Sequence, residues 1–478
     1  MWNGWRHLLL KKNEYHPSEQ TKTMKQTTFL VIAISLLIAT SCKNKQETTT
    51  AAPSQLEVYA DSLFQASIDS AQIAGASILI FHKDKILLKK AYGYASLELS
   101  APMPTDGNYF IASLTKQFTA AAILKLVEDK KLSLDDDFTK YLEFDTKGRK
   151  ITIAQLLDHT SGLAQAESKE EFMQMTFDEF PHKLMVTLVE PKDFLHEPGE
   201  AMIYNNTAFV FLGLIIEKIT GQSYETYLQE SFFDPLGMSN TSYTSNTKVT
   251  KNKVNGYVHT PKGLQQNGFL NYDIPYSAGA LSSTTEDLFK WMQALHTGKV
   301  LSEPMYKSLI STSSLNDGAP VRYAKGLVNF SYYGHQEIGH NGGGFGFLSR
   351  TRYFPDDDLY IICLLNTYGP KGGDFFTDNI TLKLLDKKEY QKATLDIDVN
   401  AIQGIYKGQT RDTIQSIEIK SIQNGITRQV KGKEEIDTLK VYIGNHTWMD
   451  GNDKITIENN EYRVDKIYNY YIFKKEIE

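Results

Sequence analysis

The sequence has few cysteines, and their scarcity excludes several kinds of protein. Its 478 residues include two, Cys42 and Cys363, which leaves no disulfide framework and no cysteine-rich metal site. Cys363 lies in the apolar run 360–365, where we interpret it as a buried strand residue and not as a reactive thiol. No metal or organic cofactor is implied.

Concentrated positive charge is also missing. The formal net charge is −6, from 51 basic and 57 acidic residues, and no long run of Lys and Arg stands out. Non-specific nucleic-acid binding needs a basic surface, so the sequence argues against a nucleic-acid partner. A G-x-S-x-G elbow and an H-E-x-x-H zinc motif are both absent from the sequence, which excludes two common kinds of hydrolase.

What is present is enough apolar material for a globular protein. Hydrophobic residues make up 41% of the chain and aromatic residues 12%, so wholesale disorder is excluded. At roughly 150 residues per domain, the length predicts two or three units.

The N-terminus resembles a secretory signal. Met24 and Lys25 are followed by the apolar run 29–39, then by Thr40-Ser41-Cys42 and a polar stretch, a pattern too short to span a bilayer comfortably. A Cys at the break resembles a bacterial lipoprotein lipobox, although Ala39 stands where Leu is usual. We therefore interpret 24–42 as a lipoprotein-type signal peptide with Cys42 as the lipidation site, and 43–55 as a tether. The alternative is cleavage beside an incidental Cys.

Residues 1–23 look like neither a signal nor a domain. The simplest interpretation is a mis-assigned upstream start, with translation beginning at Met24.

The pattern downstream of the tether predicts helices between an early and a late set of strands. Helices are predicted at 56–70, 113–129, 153–158, 208–220, 224–232 and 285–297. Strands are predicted within 75–93, around a turn at 82–85, and at 346–353 and 359–365. This order predicts α/β packing, with the terminal strands sharing one sheet.

Beyond about Tyr390 the pattern becomes one of alternating strands and turns. It predicts a separate antiparallel β domain at 390–478. Because this segment shows no catalytic constellation, we expect it to influence stability or substrate access without supplying a catalytic group. Its surplus of aromatic residues fits either packing against the rest of the chain or a self-contained core. These residues are Tyr462, Tyr468, Tyr470, Tyr471 and Phe473.

The strongest local motif is Ser113-Leu114-Thr115-Lys116, at the start of an apolar helix. A spacing of three places Ser113 and Lys116 on one helical face, so the amine can reach the hydroxyl. The first N–H groups of a helix lack intrahelical acceptors, so the N–H of Ser113 can donate to an oxyanion. Alone, S-x-x-K is weak, since most copies are an N-cap Ser and a surface Lys.

Two further motifs favour a catalytic interpretation of Ser113 and Lys116. Tyr204-Asn205-Asn206 precedes an apolar helix, and His340-Asn341-Gly342-Gly343-Gly344 precedes a strand expected to start near Phe345. A Tyr needs a cationic neighbour to act as a base near neutral pH, and Lys116 can supply it. The N–H of Gly343 is a candidate second oxyanion donor. Taken singly, Tyr204 fits a core aromatic, His340 a turn residue and the glycines a flexible loop.

In the order S-x-x-K, Y-x-N, H-x-G, these motifs resemble the serine β-lactamase and penicillin-binding-protein superfamily, most closely its class C and D-alanyl-D-alanine-carboxypeptidase-like branch. The resemblance covers residues 56–386. It includes further segments in the family's order: 91–95, 156–163, 212–217, 235–238 and 278–284.

The resemblance implies a β-lactamase/transpeptidase-like α/β (α+β) fold. An antiparallel sheet would be flanked by helices, with an all-helical region and the small C-terminal β domain added. It also implies a serine hydrolase with Ser113 as the acylated nucleophile, and with Lys116 and Tyr204 sharing its proton as a coupled pair.

Further roles follow from the same resemblance. The N–H groups of Ser113 and Gly343 would form the oxyanion hole, while Asn206, His340 and Gly342 would contact the substrate. His159 is tempting as the base of a catalytic triad, but the family uses this residue structurally, in a turn.

The third motif departs from the Lys-Thr-Gly usual in β-lactamases of this superfamily. His340 is mostly neutral at pH 7 and Asn341 replaces the hydroxyl, so strong penicillin turnover is not expected. The acyl donor stays open among esters, D-amino-acid amides, D-peptides and β-lactams. The alternative function is a non-catalytic penicillin-recognising sensor or a pseudo-enzyme of the cell envelope.

A small molecule or peptide is the expected substrate, and the lipid anchor would tie the exported protein to a membrane of the bacterial cell envelope, on its periplasmic side or at the cell surface. The oligomeric state stays open.

Lipidation of Cys42 is directly testable. We expect the wild-type protein to fractionate with membranes and to carry the mass of a lipid on its processed N-terminus. Cys42→Ala should lose both properties, because the acyl chains attach to the thiol. An unchanged membrane fraction and an unchanged mass in the variant would overturn the lipoprotein interpretation.

Overall fold

The described part of the chain starts after the proposed signal peptide. The computed structural model describes residues 52–166, 182–245, 247–268, 271–272, 274–387, 390–411, 413–422, 425–439 and 441–476. Cys42, the signal 24–42 and the segment 1–23 lie outside the described residues, as does most of the tether.

The helices of the described ranges all lie before residue 390. Their bounds are α1 Gln55–Asp69, α2 Thr115–Glu128, α3 Ile153–Leu157, α4 Leu184–Val189, α5 Asn206–Thr220, α6 Tyr224–Leu228, α7 Tyr276–Gly279, α8 Thr285–His296, α9 Glu303–Ile310 and α10 Gly373–Leu384. A 3₁₀ turn, Ala112–Leu114, leads into α2, and a π-helical turn, Gln229–Phe233, follows α6. None of the helices in the described ranges is long and apolar enough to cross a membrane.

Strands flank the helical region on both sides in the sequence. Before residue 390 they are β1 Gly75–His82, β2 Lys85–Ser96, β3 Ala101–Pro102, β4 Tyr109–Phe110, β5 Met202–Ile203, β6 Ser242–Tyr243, β7 Tyr257–Thr260, β8 Gly263–Gln266, β9 Leu281–Ser283, β10 Val328–Tyr332, β11 His335–Gly344, β12 Phe347–Phe354, β13 Leu359–Leu365 and β14 Thr367–Tyr368. After it they are β15 Gly404–Gln409, β16 Ile414–Ile422, β17 Gly425–Val430, β18 Ile436–Leu439, β19 Val441–Gly444, β20 Thr447–Asp450, β21 Asp453–Glu458, β22 Glu461–Lys466 and β23 Asn469–Lys475.

The central sheet joins the early and the late strands, as the sequence predicts. Its order among the described strands is β10-β11-β12-β13-β1-β2-β3. Strand β1 pairs antiparallel with β13 over its whole length, from Ala76 opposite Leu365 to His82 opposite Leu359. Both strands are apolar on both faces because helices cover the sheet from both sides, so they read as continuous hydrophobic runs. Cys363 is buried in β13, as expected.

Helix α2, which begins just after Ser113, lies in the centre of the helical layer. Nearly every residue from Thr115 to Leu126 is buried, and the helix packs against α5, α7 and α9. A helix that is apolar on all sides has no solvent face. The motif residues at its start are therefore held by packing on every side.

The third motif lies inside a strand, which corrects one expectation. The sequence placed His340-Asn341-Gly342-Gly343-Gly344 before a strand starting near Phe345, whereas β11 runs from His335 to Gly344. Glycines have low strand propensity and give no alternating pattern, so this strand was missed. Pairing with β12 along the motif, from His340 opposite Thr351 to Gly344 opposite Phe347, stabilises it.

The C-terminal segment forms a ten-stranded antiparallel sheet within the described ranges, confirming the predicted β domain. The tenth strand is β5, which comes from the helical region and pairs with β23: Asn469 lies opposite Ile203 and Tyr470 opposite Met202. From Ser54 onward the chain forms one compact unit.

The aromatic residues of this segment contribute both to a core within the sheet and to packing against the rest of the chain. Tyr462 and Phe473 lie in the sheet's own hydrophobic core. Tyr468 and Tyr470 pack instead with a core cluster built mainly from the central sheet and α10. The C-terminal sheet therefore has a core of its own and also contacts the rest of the protein.

Candidate active site

Ser113 sits in the 3₁₀ turn that leads into α2, where the central sheet presses against the turn. Its neighbour Ala112 has a positive φ of 48°, a conformation that costs free energy and must be stabilised by its surroundings. Ser349 on β12 donates a 2.9 Å hydrogen bond to the carbonyl of Ile111. A Cβ on Gly342 would lie 2.3 Å from that carbonyl and 3.1 Å from the N of Ser113. Glycine is therefore required at position 342 for β11 to approach Ser113.

Lys116 lies one turn further along and is fully buried. Its Nζ lies 3.2 Å from Ser113 Oγ, 2.7 Å from Asn206 Oδ1 and 2.8 Å from the carbonyl oxygen of Ala278. An ammonium has three donors, and these acceptors come from the 3₁₀ turn, α5 and α7. The predicted proximity of Ser113 and Lys116 is thus present in the structure.

Tyr204 follows β5 and flanks Lys116. The Nζ of Lys116 lies 4.8 Å from the centroid of its ring. Gln165 holds the segment on one side: its Nε2 donates to the carbonyl of Tyr204 at 2.6 Å, and its Oε1 accepts from the N–H of Asn206 at 3.2 Å. Four predicted site residues, Ser113, Lys116, Tyr204 and Asn206, are therefore brought together.

Asn205 and His159 fix the backbone between Tyr204 and Asn206. The Oδ1 of Asn205 caps α5 by accepting from the N–H of Ala208 at 2.9 Å. Its own N–H donates to Nδ1 of His159 at 3.1 Å, which places the proton of a neutral His159 on Nε2.

His159 packs its ring 4.3 Å from that of Tyr204. Burial, and then the positive charge of Lys116, hold the pKa of His159 well below its ordinary value. The imidazole is therefore neutral. These contacts support the structural role in a turn, since His159 has a positive φ and orients the Tyr204 segment.

His340 lies on β11 with no exposed surface. One ring nitrogen, Nδ1, donates to the carbonyl of Asn341, and Nε2 accepts from the hydroxyl of Tyr323 at 3.0 Å. Burial is the main cause that lowers the pKa of His340 to about 3, and the charge of Lys116 adds to it. The third motif therefore contributes a neutral imidazole at pH 7.

The C-terminal sheet also supplies residues to the site that sequence patterns did not reveal. Asn469 Oδ1 accepts from the N–H of Tyr204 at 3.1 Å, and the hydroxyl of Tyr468 accepts from the N–H of Asn341 at 2.8 Å. The guanidinium carbon of Arg411 lies 5.4 Å from the ring centroid of Tyr204. The aromatic residues noted near the C-terminus include Tyr468, but the sequence did not predict its position beside the site. No sequence pattern marked Asn469 or Arg411.

No group of His, Cys, Asp or Glu side chains arranged to hold a metal ion occurs within the described ranges. The chemistry available to this site is that of a serine beside a buried lysine, with a tyrosine and backbone N–H groups around them. This arrangement, on an antiparallel sheet flanked by helices, defines the class of serine hydrolases with the β-lactamase and penicillin-binding-protein fold.

Residues 60–384 match the Beta-lactamase family, and the chain belongs to that family. It is 30% identical over 348 residues to Protein flp of Staphylococcus aureus strain MRSA252, covering 69% of this chain and 66% of that protein. The chain thus spans about two thirds of the length of that relative. It is also 30% identical over 332 residues to Penicillin-binding protein 4* of Bacillus subtilis strain 168, covering 64% of this chain and 71% of that protein.

A solved structure shares the fold over most of the chain. The octameric penicillin-binding protein homologue from Pyrococcus abyssi has a TM-score of 0.61 and 23% identity, covering 87% of this chain and 99% of that one. The likeness extends the shared fold beyond residues 60–384.

The neutral state of His340 predicts a pH dependence of stability. The unfolded chain, with an ordinary pKa near 6.5 for this residue, binds one proton more than the folded chain between that value and about 3. The free energy of unfolding should therefore fall as the pH is lowered through this window, by up to about 1.4 kcal/mol per pH unit for one such group. His340→Gln should remove this part of the slope.

Urea unfolding of the wild type and of His340→Gln at several pH values from 7 to 4 measures the difference in slope. Groups that do not interact with His340 contribute equally to both proteins and cancel in the difference, whereas the buried His159, whose pKa His340 also affects, contributes to it. Identical slopes would show that His340 is protonated in the folded protein as easily as in the unfolded chain.

Proposed function

We propose that this protein is a serine hydrolase that cleaves ester or amide bonds through an acyl-enzyme on Ser113. One observation supports this above the rest: the buried Nζ of Lys116 lies 3.2 Å from Ser113 Oγ. A serine hydroxyl is a weak nucleophile, and a neighbouring base activates it by removing its proton.

Lys116 and Tyr204 act as the base together. The pair starts one proton short, as an amine beside a phenol or an ammonium beside a phenolate. As Ser113 Oγ attacks the carbonyl carbon, its proton passes to this pair and a tetrahedral intermediate forms. The proton then goes to the leaving alcohol or amine as the carbonyl–heteroatom bond breaks, which leaves the acyl-enzyme. Water repeats the sequence: it loses a proton to the pair, attacks the ester and releases the acid, and Ser113 regains its proton.

The oxyanion is held by the N–H groups of Ser113 and Gly343. Strand β10 pairs with β11 only as far as Gly339, so the edge of β11 beyond it faces the active-site side. The N–H of Asn341 points to this edge, because it donates to Tyr468. Residues two apart in a strand point their N–H groups to the same edge, so the N–H of Gly343 points there as well. This direction supports the proposed role of Gly343.

Asn206 and the third motif contact the substrate on its two sides. Asn206 binds the acyl-side amide, and His340 and Gly342 line the leaving-group or carboxylate side. A neutral His340 offers no fixed charge to a substrate carboxylate, which favours esters, D-amino-acid amides and D-peptides over penicillins as acyl donors. A non-catalytic sensor would acylate and then fail to release, so it would give a burst without turnover.

The protein works in the bacterial cell envelope, exported and anchored through a lipid on Cys42. The tether 43–55 then gives the catalytic domain reach from the membrane surface.

Ser113→Ala tests the nucleophile. We expect turnover of an activated ester such as p-nitrophenyl acetate to fall by roughly 10³-fold or more, and the mass shift by a fluorophosphonate probe to disappear. Ser311→Ala, which removes an exposed serine hydroxyl at the end of α9, is the control and should behave as wild type. Wild-type turnover by folded Ser113→Ala protein would overturn the mechanism.

Lys116→Ala and Tyr204→Phe test the coupled base. Each is expected to lower kcat by about 10²- to 10⁴-fold. The double variant should lose little more than the worse single variant, because the two groups act as a unit. Lys125→Ala, on the same helix, should stay near wild type. Losses that multiply in the double variant would show two independent groups.

A further inference from the structure

The turn between β22 and β23 reaches from the C-terminal sheet into the active site. The ring centroid of Tyr468, at this turn, lies 6.0 Å from that of Tyr204 and 5.1 Å from that of His340. The same turn thus packs against the second motif and the third motif. The next residue, Asn469, begins β23.

Tyr468 caps the edge of the third-motif strand. Its hydroxyl accepts from the N–H of Asn341 at 2.8 Å, and Nη1 of Arg350 lies 3.5 Å from the same oxygen. Arg350 is itself buried and paired with Glu337 and with Asp374, so the hydroxyl is held by fixed neighbours. The donor of this hydrogen bond, the N–H of Asn341, lies two positions before Gly343 in the same strand.

Asn469 holds the other side of the site. Its Oδ1 accepts from the N–H of Tyr204 at 3.1 Å. Directly before Tyr204, Ile203 and Met202 pair with Asn469 and Tyr470 as neighbouring strands. The position of Tyr204 along the chain is therefore tied to β23 both by the strand register and by the Asn469 side chain.

We propose that Tyr468 and Asn469 are positioning residues of the active site. Together they fix the distance between the Tyr204 side of the base and the edge of β11 that carries the Gly343 N–H. The inference rests on the proposed acyl-enzyme function, and neither residue touches the reacting atoms. The expectation that the segment after residue 390 supplies no catalytic group stays a prediction, and the segment acts on the reaction through placement.

The size of the effect follows from how steeply catalysis depends on placement. A displacement of about 1 Å in a catalytic group can cost about 10²-fold in rate. Without the Asn469 acceptor, the N–H of Tyr204 loses its hydrogen bond, and the backbone that carries the phenol shifts. Without the Tyr468 hydroxyl, the N–H of Asn341 loses its hydrogen bond, and the edge of β11 shifts.

The experiment measures the first-order rate of Ser113 acylation in the full chain, by stopped-flow with an activated ester and by mass shift with a fluorophosphonate. The amplitude of the reaction counts the folded sites, so the rate constant is per active molecule. Asn469→Ala and Tyr468→Phe should each lower this rate constant by roughly 10- to 100-fold, with a smaller change in KM for the ester.

Two controls separate placement from stability. Asn469→Asp keeps an oxygen acceptor toward Tyr204 and should recover the rate to within about three-fold of wild type. Tyr442→Phe removes a hydroxyl that likewise accepts a backbone N–H, from His446 at 3.2 Å, elsewhere in the same sheet. It should leave the rate per site unchanged even where it lowers the melting temperature.

The outcomes are distinct. If the wild type is not acylated on Ser113, the proposed function fails. If the wild type is acylated but Asn469→Ala and Tyr468→Phe react at the wild-type rate per site, the function stands and the positioning role is wrong. A fall shared equally by Tyr442→Phe would show a general loss of stability and would also overturn the inference. Should Asn469→Ala fail to fold, Tyr468→Phe, which removes one oxygen atom, decides the matter.

Discussion

A buried lysine side chain is the constraint on which the rest of this site depends. Lys116 has no exposed surface, and a charged group out of water is costly unless acceptors replace its hydration. Its acceptors come from three places: the hydroxyl of Ser113, the side chain of Asn206 and the carbonyl of Ala278. The 3₁₀ turn, α5 and α7 must therefore hold fixed positions around one atom.

The packing of the helices satisfies that constraint through close contact. A Cβ on Gly213 of α5 would lie 2.1 Å from Ser277 Oγ on α7, so the two helices meet only because this residue is glycine. Ser277 in turn donates to the carbonyl of Phe209 at 2.9 Å. This contact sets the spacing between the helix that carries Asn206 and the one that carries the Ala278 carbonyl, and with it the pocket around Nζ.

Local patterns in the sequence predict what is local in the structure. The spacing of Ser113 and Lys116 on one helix, and the continuous apolar runs of β1 and β13, carry their own signal, and both lie where the patterns placed them. The contact of Asn469 with Tyr204 joins residues 265 positions apart, and no sequence pattern around Asn469 predicts it. The strand that holds His340 was missed for a different reason, since glycines have low strand propensity. One of them, Gly342, is needed where the strand approaches Ser113.

The electrostatics of the site differ from those of the whole protein. The chain carries a net charge of −6, yet burial first, and then positive charges that include those of Lys116 and Arg411, lower the pKa of His159. Lys116 and Arg350 do the same to His340. Basic groups therefore act on both imidazoles, while the third motif itself carries no charge at pH 7. Positive charge near a site out of water stabilises an oxyanion as it forms, so the proposed acyl transfer on Ser113 does not require a charge on His340.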